Sequence, residues 1–275
     1  TQLLYNRKCT DFVDTQLIVE LHFDDTQLIV ELHIFYSPRN EVIAPDIQIN
    51  NTNIECVNDF NFLGIVIDKH LTWNNHIDKI ASKLSKIIGI MNKLKEYLPP
   101  YILQTIYNSL VLPHLNYGIL TWGHKSARVA QLQKRCVRIV NKSSFLAHTN
   151  PIFKNLKLLK VSDIFVHKQL KFYFDFINNQ LPEYFTNFQI IPAFEIHSYN
   201  TRNRNYIFRE RTNLVNTRNC IRHEIVDTIN NTPDTILNKV HTHCKTGFAS
   251  YAKQYLINKY IVTCTIANCY VCNAQ

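Results

Sequence analysis

Glycine is scarce in this chain: five among 275 residues, none of them arranged as GxxxxGK or GxGxxG. That pattern excludes a nucleotide-binding loop whose consecutive backbone amides cradle a phosphate. No apolar run approaches the ~18 residues that a bilayer-spanning helix needs, and no secretory signal pattern opens the sequence. The expectation is a soluble intracellular protein, nuclear or cytoplasmic, with no membrane partner. A GxSxG elbow is also missing, so no Ser or Cys has the preorganised turn that nucleophilic hydrolysis requires.

What is there is a 46% hydrophobic composition, enough for a core in one or two domains. Charge is unevenly spread. Residues 1–60 hold 3 Lys/Arg against 10 Asp/Glu, a balance of −7, and residues 61–275 hold 27 against 11, a balance of +16. A basic region of that size attracts phosphate backbones by counterion release, whatever their base sequence. The alternative is ordinary solvated Lys and Arg on a helical scaffold or interaction protein.

The run FNFLGIVIDKHLTW (Phe60 to Trp73) reads as a strand or hairpin feeding a long helix, with a charged turn at Asp68-Lys69-His70. Gly64 gives the backbone freedom where a bulkier residue would obstruct a close neighbour. In the helix expected over Asn74 to Leu98, Ile77, Ile80, Leu84, Ile87, Ile88, Met91, Leu94 and Leu98 share one sector at about 100° per residue. Lys79, Lys83, Lys86 and Lys93 share a separate one. One side packs and the other is a lysine stripe suited to a nucleic-acid backbone, or simply to water.

Tyr101 to Trp122 reads as a further helix, opened by Pro99-Pro100 and kinked or broken at Pro113. Tyr107, Tyr117 and Trp122 are expected as core or interface aromatics. Arg128 to Lys142 is again two-faced, with Val129, Leu132, Cys136, Ile139 and Val140 opposite Lys134, Arg135, Arg138 and Lys142. Two such helices, apolar faces together and basic faces outward, would track a duplex. Ser143-Ser144 and Asn150-Pro151 mark a boundary. Val161 to Asn178 reads as a helix capped by Ser162-Asp163 and followed by Leu181-Pro182. Ile191 to Arg222, rich in Asn and carrying Arg202, Arg204, Arg209, Arg211, Arg218 and Arg222, reads as a loop, either an RNA-contacting arm or a solvated segment.

The FLG block resembles the segment just after the polymerase palm in reverse transcriptases of non-LTR, jockey-like retrotransposons. The likeness extends through IYNSLVLPHLNYGILTWG (Ile106 to Gly123), LQKRCVRIV (Leu132 to Val140), AHTNPIFKNLKLLKVSDIF (Ala147 to Phe165) and HSYNTRN (His197 to Asn203). The resemblance implies RNA-directed DNA synthesis. It also implies a primer-proximal hairpin at Phe62, Leu63 and Gly64, and a thumb whose partner is RNA or an RNA–DNA duplex.

Polymerase chemistry needs carboxylates that hold two metal ions, Mg in the intact family enzyme. The family pattern is an aromatic residue, a small spacer and two aspartates, whereas this chain reads Phe23-Asp24-Asp25 with the spacer missing. Losing one residue turns each side chain to the opposite face. DTQLIVELH also occurs twice, at Asp14 to His22 and Asp25 to His33, and only 23 residues precede Asp24. Asp24 and Asp25 are therefore read as turn residues, and no catalytic residue is assigned. Catalysis is expected in an element-encoded or missing N-terminal polymerase region that would act as a partner, leaving this chain alone a fragment without an intact active site.

Eight cysteines in an intracellular chain are expected to be reduced. Cys9, Cys56, Cys136 and Cys220 read as small apolar fillers. Cys264, Cys269 and Cys272 stand as C-x4-C-x2-C with His243 upstream, a set that could complete a tetrahedral structural zinc site. Buried core cysteines on a strand over Ile261 to Val271 are the other reading. The whole is expected to be an α+β chain, predominantly α-helical. It would comprise a truncated palm remnant with short strands (1–71), a basic helical thumb-like domain (72–142), and a helical C-terminal region with an Arg-rich loop and Cys-rich tail (143–275).

Overall fold

A computed structural model describes the backbone of 15–24, 27–36, 48–49 and 52–53, and then 57–185, 188–196, 206–209, 211 and 219–260. The chain is predominantly helical, with short antiparallel hairpins near the N-terminus, as the sequence pattern leads one to expect. Among the described residues no helix is long and apolar enough to cross a membrane. The chain divides into two compact units, Thr1–Lys79 and Ile80–Gln275.

In the first unit the duplicated sequence folds on itself. Strand β1 (Thr15–Asp24) pairs antiparallel with β2 (Gln27–Tyr36), from Thr15 opposite Tyr36 to Asp24 opposite Gln27. Asp24 is thus the last paired residue of β1, opposite Gln27 at the closed end of the hairpin, and Asp25 lies outside the described residues. Two residue pairs follow as β3 (Gln48–Ile49) and β4 (Thr52–Asn53).

Strands β5 (Asp59–Phe62) and β6 (Ile65–Asp68) form the hairpin expected around FLG. Phe62 pairs with Ile65, leaving Leu63 and Gly64 as a two-residue loop with φ of 45° and 87°. Positive φ at both positions is the turn whose twist matches the flanking strands. Gly64 at φ 87° uses the backbone freedom expected of it.

The hairpin runs into helix α1 (Asn74–Leu94) through a connection organised by Asp68. His70 N–H and Thr72 N–H donate to its Oδ1 at 3.2 and 2.9 Å, and Trp73 N–H donates to its Oδ2 at 2.7 Å. Leu71 and Trp73 both take positive φ, 51° and 63°. The carboxylate thus holds together a connection that two non-glycine residues would otherwise resist. α1 ends at Leu94, short of Leu98, in a turn closed by Leu98 N–H on Leu94 O.

In the second unit Ile80, Leu84 and Met91 of α1 are buried, as their spacing predicts, while Ile87 and Ile88 are half-buried. The predicted Tyr101–Trp122 helix is interrupted. It comprises α2 (Pro100–Ile106), a π-helical turn at Tyr107–Val111, α3 (Leu112–Asn116) and α4 (Ile119–Trp122). Pro113 has no N–H to continue the ladder, and the widened π turn immediately before it takes up the mismatch. Gly118 at φ 57° makes the break before α4. Tyr107 and Trp122 are fully buried, but Tyr117 is 52% exposed, so only two of the three aromatics are core.

Helix α5 (Ala127–Val140) buries Val129, Leu132, Cys136, Val137 and Val140, together with Gln133. α6 (Thr149–Asn155) and α7 (Val161–Ile177) follow. The cap of α7 is Lys160, with no side-chain hydrogen bond; Asp163 instead accepts from the Tyr260 hydroxyl at 2.6 Å. Gly123 lies where an added Cβ would overlap the Phe165 ring, which brings the end of α4 close onto α7. The segment expected to be a loop from Ile191 contains α8 (Ala193–Ile196) and a bridge between Pro192 and Ile207. α9 (Ile221–Asn230), α10 (Asp234–Leu237), α11 (Lys239–Thr242) and α12 (Lys245–Asn258) complete the described chain. Leu170 and Phe174 of α7 pack with Val240, Phe248 and Ala252 in one core cluster, and Ile225, Val226 and Ile229 form another.

Candidate nucleic-acid interface

Phe62 is half-buried in β5, while Leu63, 71% exposed, and Gly64 form the hairpin tip. Three side chains from the first turns of α1 hold this hairpin. Val66 N–H donates to His76 Nδ1 at 3.2 Å, and Asn75 Nδ2 donates to Asp59 Oδ2 at 2.9 Å. Lys79 Nζ donates to Asn61 Oδ1 at 3.0 Å and to Gly64 O at 3.3 Å. Lys79, read in the sequence as the first member of the stripe, therefore spends its ammonium on the hairpin tip.

Lys83, Lys86 and Lys93 are exposed in the second unit. Among the described residues none of the three has an ion-pair partner. Lys83 also contributes, after burial, to holding His114 below the usual histidine range. On α5, Lys134 and Arg135 are exposed, and Arg135 lies over the Phe145 ring at 5.8 Å. Arg138 is half-buried, and its Nε donates to Ala147 O at 2.8 Å. Of these three α5 cations, two stand in solvent and one is drawn back against the chain.

A groove of about 510 Å³ runs between the later turns of α1 and the end of α5. Ile88, Gly89 and Asn92 line one side, and Arg135, Arg138 and Lys142 line the other, with Phe145 at its edge. Lys95, also on the lining, is 3.7 Å from Glu96, so that pair contributes little net charge. Sequence periodicity found the two basic helices but not Gly89, Lys95 or Phe145. A glycine inside a strongly helical run was the available signal for the first; Phe145 sits in an irregular turn, where periodicity is silent.

The Arg-rich stretch is partly committed within the chain. Arg209 Nη1 pairs with Asp227 Oδ2 at 2.6 Å, whereas Arg211 is exposed. Arg202, Arg204 and Arg218 lie outside the described residues. Of the candidate zinc ligands, Cys264, Cys269 and Cys272 also lie outside them. His243 is described: Thr242 Oγ1 is 2.8 Å from its Nδ1, and its ring meets Tyr251 edge-on at 4.7 Å. Cys136 is buried and its thiol pushed up to about 12 by desolvation, as expected for an apolar filler. Cys220 is exposed, so the filler reading does not hold for it. Cys9 and Cys56 fall outside the described residues.

Comparison with known proteins places this geometry in context. The chain is 26% identical over 131 residues to the RNA-directed DNA polymerase from mobile element jockey of Drosophila melanogaster, covering 44% of this chain and 14% of that protein. It is 25% identical over 127 residues to the jockey polymerase of Drosophila funebris, with 44% and 14% covered. It is 23% identical over 128 residues to the probable RNA-directed DNA polymerase from transposon X-element of Drosophila melanogaster, with 43% and 14% covered. The match spans about one seventh of the length of these curated relatives. No family model and no solved structure matches the chain. Over part of its length the chain is related to jockey-like reverse transcriptases of non-LTR retrotransposons.

Proposed function

We propose that the chain is a post-catalytic part of a non-LTR retrotransposon RNA-directed DNA polymerase, a thumb-like basic segment over 72–142 with a helical region after it. Its task is to hold RNA or an RNA–DNA duplex by the phosphate backbone. Polymerisation, with its Mg ions, belongs to a separate N-terminal region, so the chain alone performs no nucleotide transfer. The supporting observation is the set of exposed lysines on α1 with no ion-pair partner among the described residues, opposite residues that are buried in the core. An ordinary solvated helix mixes signs on its outer face, whereas here Asp78 and Glu96 stand near the ends.

Salt-titrated binding to an RNA–DNA hybrid tests this. Affinity should fall steeply with ionic strength, since each neutralised phosphate adds roughly 0.7–0.9 to the logarithmic slope. Replacing Lys83, Lys86 and Lys93 by Ala together should lower that slope by about two to three on the same relation. An unchanged slope would discard the clamp.

A further inference from the structure

The groove between α1 and α5 has three properties that a plain basic face lacks. One wall carries Gly89, inside a 21-residue helix, and a Cβ added there meets nothing within 4 Å. Glycine in a helix interior costs stability relative to alanine, and here no neighbour demands it. Such a residue leaves the backbone open to close approach from outside. The opposite wall carries Arg135, Arg138 and Lys142, none with an ion-pair partner among the described residues. Among the described residues the guanidinium of Arg138 donates through Nε alone, leaving its two Nη groups as donors there. At the rim Phe145 is 68% exposed with Arg135 over its ring.

We infer that this groove holds a single-stranded nucleic-acid segment, with one base stacked on Phe145 and its phosphates between Arg138, Lys142 and the open backbone at Gly89. The inference deepens the nucleic-acid reading above and rests on it. Charge complementarity requires a polyanion, and the volume lies within the ~300–1,000 Å³ typical of sites that take small organic groups. A duplex does not suit the groove, because its base faces are covered by their neighbours. A single strand can present an unstacked base to an aromatic ring flanked by a guanidinium. An acidic peptide would satisfy the cations but would make no use of a flat exposed ring.

The test measures binding by the whole chain of three labelled probes: an oligouridylate single strand, an RNA–DNA hybrid and a polyglutamate peptide. Two variants are compared with wild type. Gly89→Gln puts a side chain on the groove wall with a better helix former, so its Tm should equal or exceed that of wild type. Phe145→Ala removes an exposed ring and should also leave the fold intact. Each should weaken single-strand binding about tenfold or more, the scale of one lost base–aromatic contact, while hybrid binding changes less than twofold. Single-strand affinity unchanged in both variants would overturn the inference while leaving the lysine clamp standing. Polyglutamate bound as tightly as the single strand, and equally weakened by Gly89→Gln, would replace it with a peptide site. If wild type binds neither nucleic acid, the clamp reading and the groove fall together.

Discussion

Glu224 is a half-buried carboxylate on α9 whose Oε2 accepts from Gln169 Nε2 of α7 at 3.4 Å. Burial, and then the neighbouring Asp227, raise it from the ordinary 4.5 to about 7, with Arg209 opposing. In the unfolded chain it ionises near its ordinary value, so between these limits the folded state binds the extra proton. Its contribution is therefore complete below about pH 4.5 and is lost as pH rises to about 7. Glu224→Gln, which keeps the side-chain shape without ionising, should flatten the fall in Tm across that window and raise Tm at pH 8 relative to wild type. Equal pH profiles for the two proteins would show that the carboxylate is already ionised in the fold. Gln133 makes the complementary point. It sits on the buried face of α5, where periodicity asks for an aliphatic residue. Its Nε2 donates to Tyr107 Oη and Leu159 O, and its Oε1 accepts from Val161 N–H. Partners 26 and 28 residues away leave no trace in local sequence, so this residue was illegible, whereas Leu132 and Cys136 beside it were not.

Among the elements, those with a strong 3.6-residue period were the legible ones. α1, α5 and α7 start within a residue or so of expectation, because burying an apolar stripe fixes the register. The ends were less so. α1 stops at Leu94 although Leu98 continues its stripe; Leu98, directly before Pro99, is itself disfavoured in the helical conformation. The π turn before Pro113 and the four-residue helices α10 and α11 have no periodic signature at all. Asp68 was read as one residue of a charged turn, yet its carboxylate takes three backbone donors. Asp68→Ala would leave these donors without that acceptor around Leu71 and Trp73 at positive φ. A cost of about 1–3 kcal/mol is expected for the stranded donors. The check is amide hydrogen exchange at Thr72 and Trp73, which should accelerate in the variant while amides in the middle of α5 keep their protection. Asp68→Asn, which preserves an oxygen acceptor, should restore part of the slowing.

At the scale of the whole molecule, the described chain of the second unit closes on itself through Tyr260. The Tyr260 hydroxyl donates to Asp163 Oδ2 at 2.6 Å and accepts from Lys160 N–H at 3.0 Å, while Lys160 Nζ lies 4.3 Å over its ring. One side chain thus caps the start of α7 from 100 residues downstream. No period or motif could reveal it, since the arrangement exists only once α7 and α12 are packed together. Phe153 meets the same ring edge-on at 6.3 Å, so Tyr260→Phe keeps the packing and removes only the hydroxyl. The variant should lose about 1–3 kcal/mol, because Lys160 N–H loses its acceptor and the half-buried Asp163 loses a donor. Asp163 is already held above the usual carboxylate range, mainly by desolvation, and the Tyr260 hydrogen bond opposes that rise. Without the hydroxyl its proton affinity should increase further, so the Tyr260→Phe deficit should be greatest near neutral pH and shrink as the solution is acidified and Asp163 protonates. Urea denaturation of the two proteins at pH 5 and pH 7.5 measures both effects. A deficit that does not change with pH would place the loss in the Lys160 amide alone and remove Asp163 from the closure.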